Sequence, residues 1–182
     1  KIFETLDEIQ QHLQPGDNLL IYFSGHGEYK ENIEEGFWIP VEGKSSEMWT
    51  QVSFSMLKKY LKKMPSLHVL IIADSCYSGS FFEGGRSTIR AKEKLERIPS
   101  RWVLTAGRNE IVSDGKPGQN SPFASSLLTH LNRNEEPMLS ISELTNFVHS
   151  SVSSKTENDQ IPRGEPIAGV GHDGGEFMFR LK

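Results

Sequence analysis

Two side chains in this chain have residue types and settings suited to covalent chemistry. Cys76 is the only cysteine among 182 residues, and His26 is the one histidine of six that is flanked by glycines. Cys76 follows the unbroken apolar run Val69 to Ala73 and then Asp74 and Ser75, with Tyr77, Ser78 and Gly79 after it. His26 follows a second apolar run, Leu19 to Phe23, inside Ser24, Gly25, His26, Gly27. A free cysteine ordinarily just packs, and a histidine is ordinarily a satisfied structural residue. Here both lie past an apolar run, among polar and turn residues. A thiol becomes a competent nucleophile when a partner takes or hands on its proton, and histidine is the usual partner.

The runs before the two side chains read as strands buried on both faces of a parallel sheet. In open α/β sheets the carboxyl ends of such strands are where ligands bind. Between them, Val52, Phe54, Leu57, Leu61 and Met64 mark an amphipathic helix ending at Pro65, with Ser53 as its cap. Strand, helix and strand in that order imply a right-handed crossover. A helix through Phe3, Leu6, Ile9 and Leu13, closed by Pro15 and Gly16, precedes the first strand.

Glu28 to Glu35 is acidic and reads as a loop, and Phe37 to Val41 as a short edge strand or hairpin arm, because Pro40 bars a central position. Trp102 to Ala106 reads as a third strand. Ser121 and Pro122 start a helix as cap and first residue, and Ser140 with Glu143 forms a capping box for another, stapled by Leu139 and Leu144. Ser153 to Pro166 reads as polar loop and Glu176 to Arg180 as a last strand. Phe81–Ser100 carries Gly84, Gly85 and five basic residues, and is a candidate cleavable linker. Ser113, Asp114 and Gly115 signal a turn.

The composition bounds the rest. A net charge of −4, with 36% hydrophobic and 24% charged residues, suits one domain over residues 1–182. The mild acidity gives no reason to expect nucleic acid as a partner. No apolar run approaches a membrane span, and no signal peptide opens the chain. A single cysteine cannot form an internal disulfide, so a reducing, cytoplasmic location is the expectation.

The two motifs, Tyr22 to Gly27 and Asp74 to Gly79, resemble the catalytic motifs of caspase-like cysteine peptidases, peptidase family C14. Within that group the chain is most similar to metacaspases and bacterial caspase homologues. The separation of His26 and Cys76 by 50 residues agrees with the family's spacing. The resemblance extends through Trp102 to Gly107, Ser113 to Gly115, Ser121 to Ala124 and Gly171 to Phe177. It implies a three-layer α/β fold with a mostly parallel sheet flanked by helices, and a protein or peptide substrate. It also implies that Cys76 attacks the peptide carbonyl, that His26 protonates the leaving amine, and that the backbone N–H groups of Gly27 and Cys76 form the oxyanion hole. Ser24 and Asp74 match metacaspase positions lining the S1 pocket, where a carboxylate favours Arg or Lys at the cleaved position. Arg86 and Arg90 are then candidate self-processing sites.

Two departures from the family pattern carry expectations. The family fold begins with a strand, a helix and a strand that nothing here supplies, and Lys1 is not a natural initiator. An N-terminal segment or a partner chain is therefore expected to complete the sheet beside Leu19–Phe23. The last strand, around Phe177–Phe179, is expected near the opposite edge. The acidic residues Glu28, Glu31, Glu34 and Glu35 could bind calcium, but they lack the Asp-rich pattern of calcium-activated metacaspases, so solvated loop charges, with no metal or cofactor, are the expectation. The competing readings are a caspase-fold signalling or interaction module with latent or absent activity, and an α/β hydrolase or amidase using the same dyad on a small molecule.

Overall fold

The computed structural model describes residues 1–76, 92–107, 112, 113, 115, 117–156 and 159–181. The chain opens with α1 (Ile2–His12), which buries Leu6 and sets Phe3, Ile9 and Leu13 against the same core. Asp17 stops the turn that follows by accepting the Gln14 N–H on its carboxylate at 2.8 Å. β1 (Asn18–Ser24) runs up to a bend at Gly25. A meander then builds a small antiparallel sheet from β2 (His26–Lys30), β3 (Glu35–Ile39) and β4 (Val52–Ser53), in the order β2-β3-β4.

Ser53 closes β4 and caps α2 (Phe54–Lys63), its hydroxyl accepting the Met56 N–H at 3.2 Å. α2 leads into β5 (His68–Asp74), and α3 (Lys92–Leu95) into β6 (Ser100–Thr105). α4 (Pro122–Arg133) starts with its proline at the first helical position, as the sequence predicts. β7 (Met138–Ser140) precedes α5 (Ile141–Lys155), whose Ser140–Glu143 capping box is fully formed. β8 (Arg163–Pro166) and β9 (Met178–Arg180) finish the described elements.

The main sheet has the order β1-β5-β6-β8, parallel through its first three strands and antiparallel at β8. Side chains alternate across it, so two cores form. Val69, Ile71 and Ala73 of β5 pack with α1 and α2, together with Leu57, Leu61 and Trp38. Leu70 and Ile72 pack on the other face with α4 and α5, together with Phe123, Leu127 and Leu144. These are the three layers expected, with a mostly parallel sheet between helices.

Three segments differ from the sequence reading. Glu28 to Glu35 is not a plain loop, since Glu28 and Lys30 belong to β2 and pair in an ion contact of 2.7 Å. The polar stretch Ser153–Pro166 contains the end of α5 and the outer strand β8, whose four residues are each half-buried. A strand only half covered needs no apolar run, which is why neither was visible. The final strand is shorter than Glu176–Arg180 and pairs with β7 in a separate two-stranded sheet; β8 takes the place beside β6.

Candidate active site

β1 and β5 run in register from Asn18–His68 to Ser24–Asp74, so their carboxyl ends lie side by side. The junction beyond them is tight. The Gly25 N–H donates to the Asp74 carbonyl at 3.3 Å. Gly27 lies so close to Cys76 that a Cβ on it would overlap the Cys76 carbonyl oxygen. Only glycine admits that approach. The glycine bend therefore turns β1 back into β2 across the end of β5, and it brings the His26–Gly27 backbone against the backbone of Cys76.

His26 is exposed at the start of β2, opposite Ile39 of β3. Cys76 is half-buried against the α4–α5 core, and its Sγ accepts the Val112 N–H at 3.4 Å. The segment after β6 is braced by the buried Gln160. Its amide accepts the Ser113 N–H at 3.2 Å and donates to the Ala106 carbonyl at 3.0 Å.

A cavity of ≈ 470 Å³ opens beside the junction, lined by Tyr22, Ser24, Gly25, His26, Asp74, Gln119, Asn120, Ser121 and Ala124. The site residues Ser24, His26 and Asp74 are thus brought together, with Gly27 and Cys76 at the adjoining junction. Asp74 is buried, and the Ser121 hydroxyl donates to its Oδ2 at 2.6 Å. Burial, and then the charge of Asp74, push the Tyr22 phenol above its ordinary value. A cationic group entering this cavity would find a buried carboxylate and several polar side chains.

Sequence reading missed four residues of the cavity wall: Gln119, Asn120, Ser121 as more than a cap, and Ala124. The usable signal was Ser121 itself, because a capping serine accepts a bond with its oxygen and retains a proton to donate. Arg86 and Arg90, with Ser78 and Gly79, lie outside the described residues. Glu28 is taken by Lys30, and Glu35 accepts from Ser53 and Ser55. Among the described residues no group of three His, Cys, Asp or Glu side chains could hold a metal ion. Another histidine beside a glycine, His172, accepts the Arg101 backbone N–H at 3.2 Å and meets Trp102 edge-on, at the amino end of β6 and so at the end of the sheet away from Asp74 and Cys76.

Among the described residues no helix is long and apolar enough to cross a membrane. No curated protein matches the chain. Among solved structures, it is similar to the crystal structure of protein GSU0716 from Geobacter sulfurreducens, at 16% identity and a TM-score of 0.60. The similarity covers 91% of this chain and 71% of that one, and it speaks for the fold. The family model of the caspase domain, Peptidase_C14, matches residues 1–165. That match spans most of the chain and agrees with the mostly parallel sheet between helices, and the chain belongs to the caspase-domain family.

Proposed function

We propose that this protein is a cysteine endopeptidase that uses Cys76 as nucleophile and His26 as acid and base. The observation that carries the reading is the close approach of Gly27 to the Cys76 carbonyl at the joined ends of β1 and β5. In the first half-reaction Cys76 Sγ bonds to the scissile carbonyl carbon, the C–N bond breaks, and His26 hands its proton to the departing amine. In the second, His26 takes a proton from water. The resulting hydroxide displaces the thiolate and releases the carboxylate product. The N–H groups of Gly27 and Cys76 meet the developing oxyanion, and a donor in that role is worth about 3 kcal/mol of barrier. The chemistry uses the chain's own groups, without metal or cofactor.

Asp74, buried in the cavity beside His26, supports a preference for Arg or Lys at the cleaved position. The same preference makes Arg86 and Arg90 the expected positions of self-processing in the basic linker. Among the described residues β1 lies at the edge of the main sheet, which supports completion of the sheet by a further strand, supplied by another segment of the protein or by a partner chain.

A fluorogenic panel with Arg, Lys, Asp or Leu at the cleaved position tests the reading. Turnover should favour Arg and Lys, vanish in Cys76→Ala and fall by on the order of 10²-fold or more in His26→Ala. His172→Ala should leave the chemical step in place. Turnover by Cys76→Ala contradicts the dyad, and a preference for Asp contradicts the pocket. Absence of turnover by a folded protein on every substrate favours the interaction-module reading.

A further inference from the structure

The geometry points to Ser121 as the residue that sets specificity by positioning Asp74, an inference that rests on Asp74 being the carboxylate that reads the cleaved residue. Ser121 stands at the junction of two demands. Its oxygen accepts the Ala124 N–H at 2.9 Å, capping the 12-residue helix α4, and its proton goes to Asp74 Oδ2 at 2.6 Å. A hydroxyl has a single proton, so the capping bond orients the donated one toward the carboxylate. Pro122, at the first helical position, restricts the backbone that carries it.

Asp74 is the last residue of β5, and the bond from Ser121 restricts which rotamer its carboxylate takes. Asp74 and Ser121 are each 8% exposed, so the bond between them is made away from competing water. The amino end of α4 adds a field that favours negative charge there. Asp74, Ser121 and Ser24 line one cavity with His26 at its rim. A carboxylate held in one orientation discriminates between cationic and neutral side chains more sharply than one that rotates, because less ordering remains to be done on binding. Ser121 touches neither of the reacting groups; it acts through Asp74.

The test compares Arg and norleucine at the cleaved position in otherwise identical peptides, for the wild-type protein and for Ser121→Gly, Ser121→Ala and Ser121→Thr. Glycine keeps most of the capping preference and removes the hydroxyl, so Ser121→Gly separates the helix cap from the bond to Asp74. The ratio of kcat/KM for Arg over norleucine should fall about tenfold in Ser121→Gly and Ser121→Ala, the scale of one hydrogen bond to a charged group, and should persist in Ser121→Thr. The loss should appear mainly in KM for the Arg peptide. A wild-type preference for Arg that survives intact in Ser121→Gly overturns the role of Ser121 and leaves that of Asp74 standing. An equal fall for both peptides assigns Ser121 a merely structural part and also overturns it. A wild-type protein that cleaves both peptides equally well overturns the Asp74 reading, and this inference with it.

Discussion

β5 and β1 are written in nearly the same language: five consecutive apolar residues, then an abrupt turn carrying Cys76 in one case and His26 in the other. They lie parallel and in register, yet their surroundings differ. Every residue of β5 is buried, between β1 and β6 in the sheet and between α1–α2 and α4–α5 across it. β1 buries only Leu19, and Leu20 and Tyr22 are 44% and 46% exposed on the side facing away from α1. Among the described residues β1 pairs only with β5. Cys76 therefore sits just past the end of a fully packed strand, and His26 just past the end of a strand that lies at the sheet edge among the described residues. An apolar run reports what a strand is built to have around it; the burial itself comes from its neighbours.

The largest expected effect breaks that comparison across one pair of facing residues. Leu70 and Leu20 are partners in the ladder, the first wholly buried and the second half exposed. Leu70→Ala should cost about 2–5 kcal/mol in urea unfolding. Leu20→Ala should cost less than about 1 kcal/mol. Equal costs would mean that the outer face of β1 is as well covered as β5.

How much could be read beforehand follows from the same contrast. β5 and β6 are buried on both faces, so their apolar runs announced them, and Ser53, Ser121 and Ser140 cap the helices assigned to them because caps act within four residues. β2 and β8 were missed because half-covered polar strands leave no periodic signal. The Cys76 and His26 motifs were legible from local chemistry. The bond between Ser121 and Asp74, 47 residues apart, depends on where α4 lands, which no local pattern encodes.

A second prediction probes the join between the two strands. Gly27→Ala should lower kcat/KM by roughly 10²-fold, the cost of a displacement near 1 Å at a reacting centre. Its new methyl would overlap backbone at Cys76. Gly25→Ala would meet only the Phe23 ring, at 3.1 Å, and should be the milder change. Comparable losses would mean that Gly27 is not the critical approach.

The smallest effect lies at the opposite ends of the strands, where Asn18 is exposed and its partner His68 is buried. His68 is bonded to the Ser100 hydroxyl at 2.7 Å and the Glu96 carbonyl at 2.8 Å. Burial pushes its imidazole below the ordinary value of 6.5, against the opposing pull of Glu96. The unfolded chain therefore binds a proton there more readily than the folded one. The stability from a neutral His68 is complete above pH 6.5 and is lost as the pH falls through it. His172, also lowered mainly by burial, adds in the same direction. The urea midpoint should drop between pH 7.5 and 5.5, and by less in His68→Gln. An unchanged drop would place the pH sensitivity elsewhere.

The central claim is that the ends of β1 and β5 form one reacting centre. It is tested most directly by treating the protein with an arginyl chloromethyl ketone and following adduct formation by intact and peptide mass. One adduct per chain should form on Cys76, saturably with reagent, and His26→Ala should slow it by on the order of 10²-fold or more. Labelling at another residue, or a Cys76 rate indifferent to His26→Ala, would contradict it.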